Sequence, residues 1–405
     1  MNTPAPPARS GPPDSVLVVG ASAAGLSTAE ALRRKGYGGQ ITVLGDEIHP
    51  PYDRPPLSKQ VLSGAWEPER TRLRDAGALA ALDAEFLLGE AATALDVPAL
   101  TVHTASGRSL RAGAVVIATG VRARRLPGQD GLAGVHGLRS LEDSLALRQE
   151  LTPGRRLVVV GEGVLGSEAA ATARKLGAEV TLAGPLASPM ALQLGPVVSG
   201  LLGRLHAENG VRLRLGTAVA GLEGAQGRVT GVRLQDGETL PADVVVVSIG
   251  GVPATGWLEG SELTLDNGVV CDSRCRAAEG VYAVGDVARW HHSGLGRSLR
   301  LENRTNATEQ AAAVAEAILG SDRPYTPVPY FWTDQFDARI QVHGTVRPDA
   351  HCEVVEGDLD GRRFVLRCSG EGNQGAATAV VGWNMPKQVR LHREQAFASQ
   401  LPTPA

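Results

Sequence analysis

Val16-Leu17-Val18-Val19-Gly20-Ala21-Ser22-Ala23-Ala24-Gly25 is an apolar run that stops at a glycine-rich turn, and a near copy, Leu157-Val158-Val159-Val160-Gly161-Glu162-Gly163-Val164-Leu165-Gly166, follows later in the chain. Each run has the length and composition of a buried strand. The turns lead into helical stretches, Ala24 to about Lys35 and from the second turn to about Leu176, stopped by Gly36 and Gly177. A second strand follows in each copy: Ile41–Leu44, reaching Asp46 and Glu47, and Glu179–Ala183. Strand, glycine turn, helix and strand in that order predict a parallel sheet with a right-handed crossover in each copy.

Further strands are read at Val115–Thr119, Val244–Ser248 and Val281–Val284, and a helix at Ala307–Leu319, closed by Gly320. Beyond Tyr325 the runs Glu353–Val355, Arg363–Arg367 and Thr378–Val381 alternate with Gly-rich turns, the pattern of a smaller α+β domain. The fold class is therefore α/β, with two Rossmann-like dinucleotide-binding domains and a C-terminal α+β domain.

Composition narrows the function. The chain has 405 residues, room for two to three domains, and a formal net charge of −3, which argues against a nucleic-acid partner. No apolar run is long enough to span a membrane, and Met1–Pro13 reads as a disordered leader rather than a signal peptide. A cytoplasmic protein is expected, with Leu401–Ala405 frayed. Cys271, Cys275, Cys352 and Cys368 form no C-x-x-C pair and read as buried or incidental thiols in a reducing compartment. His291-His292 suggests no metal site, since adjacent residues point apart.

The turns carry the chemistry. In Gly20-x-Ser22-x-x-Gly25, Ser22 stands where the second glycine of G-x-G-x-x-G is usual; Gly161-x-Gly163-x-x-Gly166 is intact. Such turns present backbone N–H groups and a helix N-terminus to a pyrophosphate. Asp46 or Glu47 then accepts from ribose hydroxyls. Two such turns predict two dinucleotides, and the natural pair is a flavin and a nicotinamide. Asp286, after Gly285 at a strand end, is a candidate for the ribityl chain; Thr119-Gly120 is a weaker signal of the same kind.

The stretch Pro51-Tyr52-Asp53-Arg54-Pro55-Pro56-Leu57-Ser58-Lys59 resembles a signature of the FAD-dependent ferredoxin reductases, the putidaredoxin reductase and rubredoxin reductase group. The resemblance continues through Ala118-Thr119-Gly120, Arg139-Ser140-Leu141-Glu142-Asp143, Gly161 to Glu168, Tyr282 to Arg289 and Tyr330 to Phe336, and so covers nearly the whole chain. It implies a glutathione-reductase-like fold: an FAD-binding domain over 14–123 and 254–325, an NAD(P)-binding domain over 124–253, and a C-terminal domain over 326–400. It implies FAD contacts at Ala24, Asp46, Lys59, Ala92, Arg139 and Asp286, and pairs Lys59 with Glu168 beside the flavin N5. A cation there favours the negatively charged reduced ring, and the glutamate keeps that cation from standing unpaired in a dry site. The activity implied is hydride transfer from NADH, with NADPH not excluded, followed by single electrons to an acidic iron–sulfur ferredoxin that docks transiently and serves an oxygenase.

Two positions depart from the family. It commonly ends the second strand of its NAD motif with an acid that grips the adenine ribose; here Val180-Thr181-Leu182-Ala183 runs into Gly184-Pro185, with no nearby Arg to greet a 2′-phosphate. Arg304, in Glu302-Asn303-Arg304-Thr305-Asn306-Ala307, stands where the family often has an apolar or aromatic residue. It stabilises reduced flavin, raises its potential, meets an acidic partner, or points to solvent.

Tyr330, Phe331, Trp332 and Phe336 concentrate aromatic residues in one short stretch. Phe331 and Phe336 are expected in a local core, while Trp332 borders the flavin or a docking surface, or joins that core. Docking to an acidic protein needs positive charge, and Arg70, Arg72, Arg74, Arg297, Arg300, Lys387, Arg390 and Arg393 are the candidates. Related peroxide and disulfide reductases need a reactive cysteine after the first strand–helix–strand unit, and residues 46–70 contain none. Monodehydroascorbate reductases and the apoptosis-inducing-factor group, which also lack that cysteine, and a non-catalytic dinucleotide-binding redox sensor are the remaining alternatives.

Overall fold

The computed structural model describes residues 11–370 and 377–398; the leader residues 1–10 and Leu401–Ala405 lie outside the described residues. Along the chain, β1 (Ser15–Val19), α1 (Ala23–Arg34) and β2 (Gln40–Gly45) form the first strand–helix–strand unit, followed by β3 (Ala114–Ile117). The second consists of β4 (Arg156–Val160), α2 (Val164–Lys175) and β5 (Glu179–Gly184), followed by β6 (Val244–Val247). Next come β7 (Val281–Ala283) and α3 (Arg304–Ile318), then β8 (Tyr330–Gln335), β9 (Ala338–Gly344), β10 (His351–Asp358), β11 (Arg363–Ser369), β12 (Ala377–Trp383) and α4 (Pro386–Ala396).

These elements divide into two compact units. The first holds the residues up to Asp53, Arg72–Val121 and Pro253–Pro327; the second holds Arg54–Thr71, Arg122–Val252 and the chain from Val328 onward.

In the first unit a six-stranded sheet has the order Arg276–Ala278, β7, β3, β1, β2, Glu85–Leu88. All neighbours from β7 onward are parallel, with Val19 opposite both Leu44 and Ile117. The run Val16–Val19 is buried on both faces, as parallel strands covered by helices must be. Ala29, Ala31 and Leu32 of α1 and Ala311 and Val314 of α3 pack into the same core. Full burial stabilises each larger apolar side chain by about 1.5–3 kcal/mol.

The second unit repeats the plan with a five-stranded parallel sheet, Arg212–Leu215, β5, β4, β6, Val135–His136, in which Val160 lies opposite Ala183 and Val247. It adds an antiparallel sheet in the order β8, β9, β12, β11, β10. Leu194, Val198, Leu202 and Leu205 of the helix Ala191–Glu208 share a core with Ile340, Val342, Leu366 and Trp383 of that sheet.

Several local readings change. The helix expected at Ala307 starts at Arg304, because Asn303 caps it: its side-chain oxygen accepts from the Asn306 N–H at 2.8 Å. The aromatic cluster is a strand, β8, joined to β9 by the turn Phe336-Asp337, with Phe336 at φ 54°. The reading of four buried or incidental thiols is corrected for two of them: Cys352 and Cys368 sit opposite each other on β10 and β11 and form a disulfide, while Cys271 and Cys275 are free and buried. Among the described residues, no helix is long and apolar enough to cross a membrane.

Candidate functional site

The first cradle lies where β1 hands over to α1. Gly20 has φ 123°, and a Cβ there would stand 2.2 Å from the Ala118 carbonyl oxygen. A Cβ on Gly25 would stand 1.8 Å from the Gly20 oxygen. Both positions therefore exclude any side chain, which fixes the turn close to the sheet. Ser22 is the N-cap of α1 and makes no side-chain capping bond, so the first-turn N–H groups are left for a ligand. Asp46 is exposed directly after β2, while Glu47 accepts from the Tyr52 hydroxyl at 2.5 Å. Of the two carboxylates offered by the sequence, Asp46 is thus the one open to a ribose.

The neighbouring strand ends complete this edge. Thr119 donates to the Ala254 carbonyl at 2.9 Å and Gly120 follows at φ 67°. Gly285 packs against the first turns of α1 and α3: its added Cβ would lie 3.0 Å from that of Ala24, and its N–H is bound by the buried Gln310. Asp286 sits in the turn after β7, with its backbone carbonyl held by Arg300 at 3.0 Å. Ala92 opens the strand Ala92–Asp96. Free helix N–H groups, an exposed carboxylate at a strand end and a second carboxylate three strands away fit a dinucleotide such as FAD.

The second cradle, between β4 and α2, has the same build. Gly161 has φ 106°, and its Cβ would meet the Ser248 oxygen at 2.2 Å; that of Gly166 would meet the Gly161 oxygen at 1.9 Å. Gly163 begins α2 without a side-chain cap, and a Cβ there would meet nothing within 4 Å. That open side is the room a pyrophosphate needs, so a second dinucleotide fits here.

Lys59 and Glu168 meet within the second unit. Pro55 and Pro56 start a short 3₁₀ turn that presents Lys59 at its end. The turn is held by Thr172 of α2, which donates to the Ser58 carbonyl, and by Ser144, which donates to that of Leu57, both at 2.7 Å. The Lys59 Nζ lies 2.6 Å from Glu168 Oε2, with the two side chains 13% and 6% exposed. Sequence reasoning missed the rest of the network. Ser58 donates to the same oxygen at 2.6 Å, and Thr333 of β8 donates to Oε1 at 2.8 Å. Gln335 donates to Thr333 at 2.9 Å, and its carbonyl oxygen faces His206 Nε2 at 2.7 Å. Burial lowers the His206 pKa, so the ring is neutral and donates through Nε2. Ser58, Thr333 and His206 are each far in sequence from the residue they bind here, so no spacing signals the network.

The remaining candidates sort by their contacts. Arg54 donates to the Arg139 carbonyl at 2.7 Å, and the Arg139 N–H is bound by Asp143 at 2.9 Å, beside the Ser140–Asp143 capping box. Arg304 does not simply point to solvent: as the first residue of α3 it pairs with Asp53 at 2.7 Å. Trp332 is half-buried, stacked on Tyr330 with centroids 6.0 Å apart, whereas Phe331 and Phe336 pack on the core as expected. Arg300 and Arg74 are poor docking charges, being paired with Glu302 and Glu30. Arg214, which the sequence reading passed over, lies opposite Ala183 beside Gly184, and is paired with Glu238 and Asp236. Both ring nitrogens of His292 face backbone partners, the Leu295 N–H and the Pro327 carbonyl. The free cysteines Cys271 and Cys275 are buried, and burial pushes the Cys275 thiol up to about 12, so neither is a nucleophile.

Known proteins resemble this chain over most of its length. Residues 14–311 match the pyridine nucleotide-disulphide oxidoreductase family and residues 330–405 the reductase C-terminal family. The chain is 41% identical over 381 residues to the benzene 1,2-dioxygenase system ferredoxin–NAD(+) reductase subunit of Pseudomonas putida, covering 93% of this chain and 90% of that protein. It is 36% identical to rhodocoxin reductase of Rhodococcus erythropolis, covering 87% and 83% of the two chains. The reductase of the covalent putidaredoxin reductase–putidaredoxin complex superposes with a TM-score of 0.89 at 34% identity, over 96% of this chain and 94% of that one. The chain belongs to the pyridine nucleotide-disulphide oxidoreductases, within their group of ferredoxin reductases.

Proposed function

We propose that this protein draws electrons from NADH and delivers them one at a time to a small acidic iron–sulfur protein that serves an oxygenase. When bound, FAD supplies the chemistry that links the two: it accepts a hydride and gives up electrons singly. Residues 14–123 with 254–325 hold it, 124–253 hold the nicotinamide nucleotide, and 326–400 form the C-terminal part. The observation that carries this reading is the duplication: two sheets each end in a glycine turn at an uncapped helix, and the chain offers no reactive thiol to divert the electrons.

The residues divide the work. Gly20, Ser22, Ala24 and Gly25 cradle the FAD pyrophosphate, Asp46 takes its ribose, and Thr119, Gly120, Gly285 and Asp286 line the adjoining strand ends. Ala92 and Arg139 are assigned to the same cofactor on the resemblance alone, and Arg54 and Trp332 are further candidates for it. Gly161, Gly163 and Gly166 cradle the nicotinamide nucleotide. Lys59 supplies a fixed positive charge, and Glu168, held by Ser58 and Thr333, sets its position. Arg304 anchors the segment carrying Asp53. Arg70, Arg72, Arg297, Lys387 and Arg390, all exposed, with the half-buried Arg393, remain as docking charges for an acidic partner. Use of NADH as reductant favours a cytoplasmic location.

The test is anaerobic mixing of the purified yellow protein with NADH or NADPH, followed by a panel of ferredoxins with cytochrome c as reporter. The reading expects faster flavin bleaching with NADH, and cytochrome c reduction that depends on a ferredoxin. Bleaching by neither nucleotide would contradict it.

A further inference from the structure

Gly184 closes β5 at the position where the family commonly places its ribose-binding acid. The structure shows what fills that place. A Cβ built on Gly184 would lie 1.7 Å from Glu162 Oε2 and 2.3 Å from the carboxyl carbon. The carboxylate of Glu162, the second residue of the glycine turn, therefore occupies the volume in which a side chain at 184 would begin. One oxygen, Oε1, accepts from the Leu186 N–H at 2.8 Å and steadies the group at the strand end. The other faces Gly184 with no hydrogen-bond partner among the described residues. Glu162 is 4% exposed and is paired with no cation among the described residues.

The first cradle explains why the two positions are linked. There the corresponding residues are Ala21 and Gly45, and a Cβ on Gly45 would lie 2.6 Å from that of Ala21. In both copies, the residue after the first glycine and the last residue of the second strand compete for one volume. In the second copy the Glu162 carboxylate holds that volume, and a side chain at 184 would require it to move.

We propose that Glu162 takes over the work of the missing strand-end acid: its free carboxylate oxygen accepts the adenine ribose hydroxyls of NADH and repels a 2′-phosphate. The proposal rests on the reading that the β4–α2 turn holds the nicotinamide nucleotide. Arg214, the cation on the adjacent strand, is already committed to Glu238 and Asp236 and does not offset that repulsion. Glu162 is thus a specificity-determining residue, and Gly184 is the gap that makes room for it.

The experiment is calorimetric titration of the FAD-loaded protein with NAD+, ADP-ribose and 2′-phospho-ADP-ribose, which reads binding apart from turnover. The wild type is expected to prefer ADP-ribose over its 2′-phosphate by about tenfold or more, a difference of about 1.4 kcal/mol. Glu162→Gln, which keeps the shape and removes the charge, should abolish that preference while NAD+ still binds. The double variant Glu162→Gly with Gly184→Glu should restore it, whereas Gly184→Glu alone crowds two carboxylates into one volume and should weaken all three ligands. Full discrimination retained in Glu162→Gln would overturn the proposal while leaving the function intact. A wild type that binds neither NAD+ nor ADP-ribose would overturn the reading of the turn itself, and the proposal with it.

Discussion

The two glycine turns are one device built twice, and they part in three places. The backbone constraints match closely: Gly20 and Gly161 both have positive φ and both lie under the carbonyl of a neighbouring strand end, 2.2 Å from an added Cβ in each case. The side chains diverge. Ser22 replaces the open Gly163; the strand-end acid follows β2 as Asp46 in one copy and sits inside the turn as Glu162 in the other; and seven residues after the first glycine stands Ser27 in α1 but Glu168 in α2. Backbone geometry gives each turn the form of a dinucleotide cradle. On the proposed reading, the side chains decide which dinucleotide, and what charge is held nearby.

The largest expected effect breaks the pair apart. Gly25→Val drives a side chain into the Gly20 carbonyl and should yield a colourless protein that retains no FAD. Gly166→Val does the same to the second turn and should leave the protein yellow, with NADH-dependent ferricyanide reduction down by about a hundredfold or more, some 2.8 kcal/mol. Absorbance and turnover of the two variants decide the matter; equal loss of flavin in both would show that the cradles are not independent.

The next tests the charge on α2 that α1 lacks. Lys59→Ala should slow flavin reduction by about tenfold, read in stopped flow, and unchanged kinetics would remove Lys59 from the account. Glu168→Ala leaves a mostly buried cation unpaired and should cost about 3–5 kcal/mol of stability in denaturant titration. Glu168→Gln keeps an acceptor for Ser58 and should cost less.

A smaller effect is tied to pH. His343, stacked on Tyr330 in the second unit, is held at a pKa of about 3 by burial, against 6.5 in an open chain, with Arg393 adding to the depression. Between those values the unfolded chain binds a proton that the folded one does not, so stability falls as pH drops below 6.5. The slope is at most about 1.4 kcal/mol per pH unit. His206, also lowered by burial, adds in the same direction. Melting of His343→Phe at neutral and mildly acidic pH should show a shallower slope than the wild type. The smallest effect concerns docking: Lys387→Glu with Arg390→Glu should raise the ferredoxin KM severalfold and flatten its salt dependence.

Much of this was legible in the sequence because its signals are local. An apolar run, a glycine turn and a glycine stop lie within about twenty residues of each other, and the backbone needs glycine there whatever the ligand. The hairpin β8–β9 was not legible, because its turn is Phe336-Asp337 rather than an Asn-Gly pair; Phe336 tolerates positive φ where its ring packs edge-on against His206, 5.1 Å away. The disulfide depends on the register of β10 against β11, which spacing alone does not reveal. Glu162 escaped for a different reason. An acid in the turn and a glycine at the strand end are each unremarkable, and only the shared volume between them makes the pair informative.

The central claim is that two cradles on one chain pass electrons from NADH to a one-electron acceptor without a thiol. It is tested most directly by rapid anaerobic mixing of the FAD-loaded protein, its free cysteines alkylated or substituted, with one equivalent of NADH and then oxidised ferredoxin. The account predicts prompt loss of flavin absorbance with NADH, and its return as two ferredoxins are reduced per NADH. Reduction that stops when the cysteines are removed, or that never reaches the ferredoxin, would contradict it.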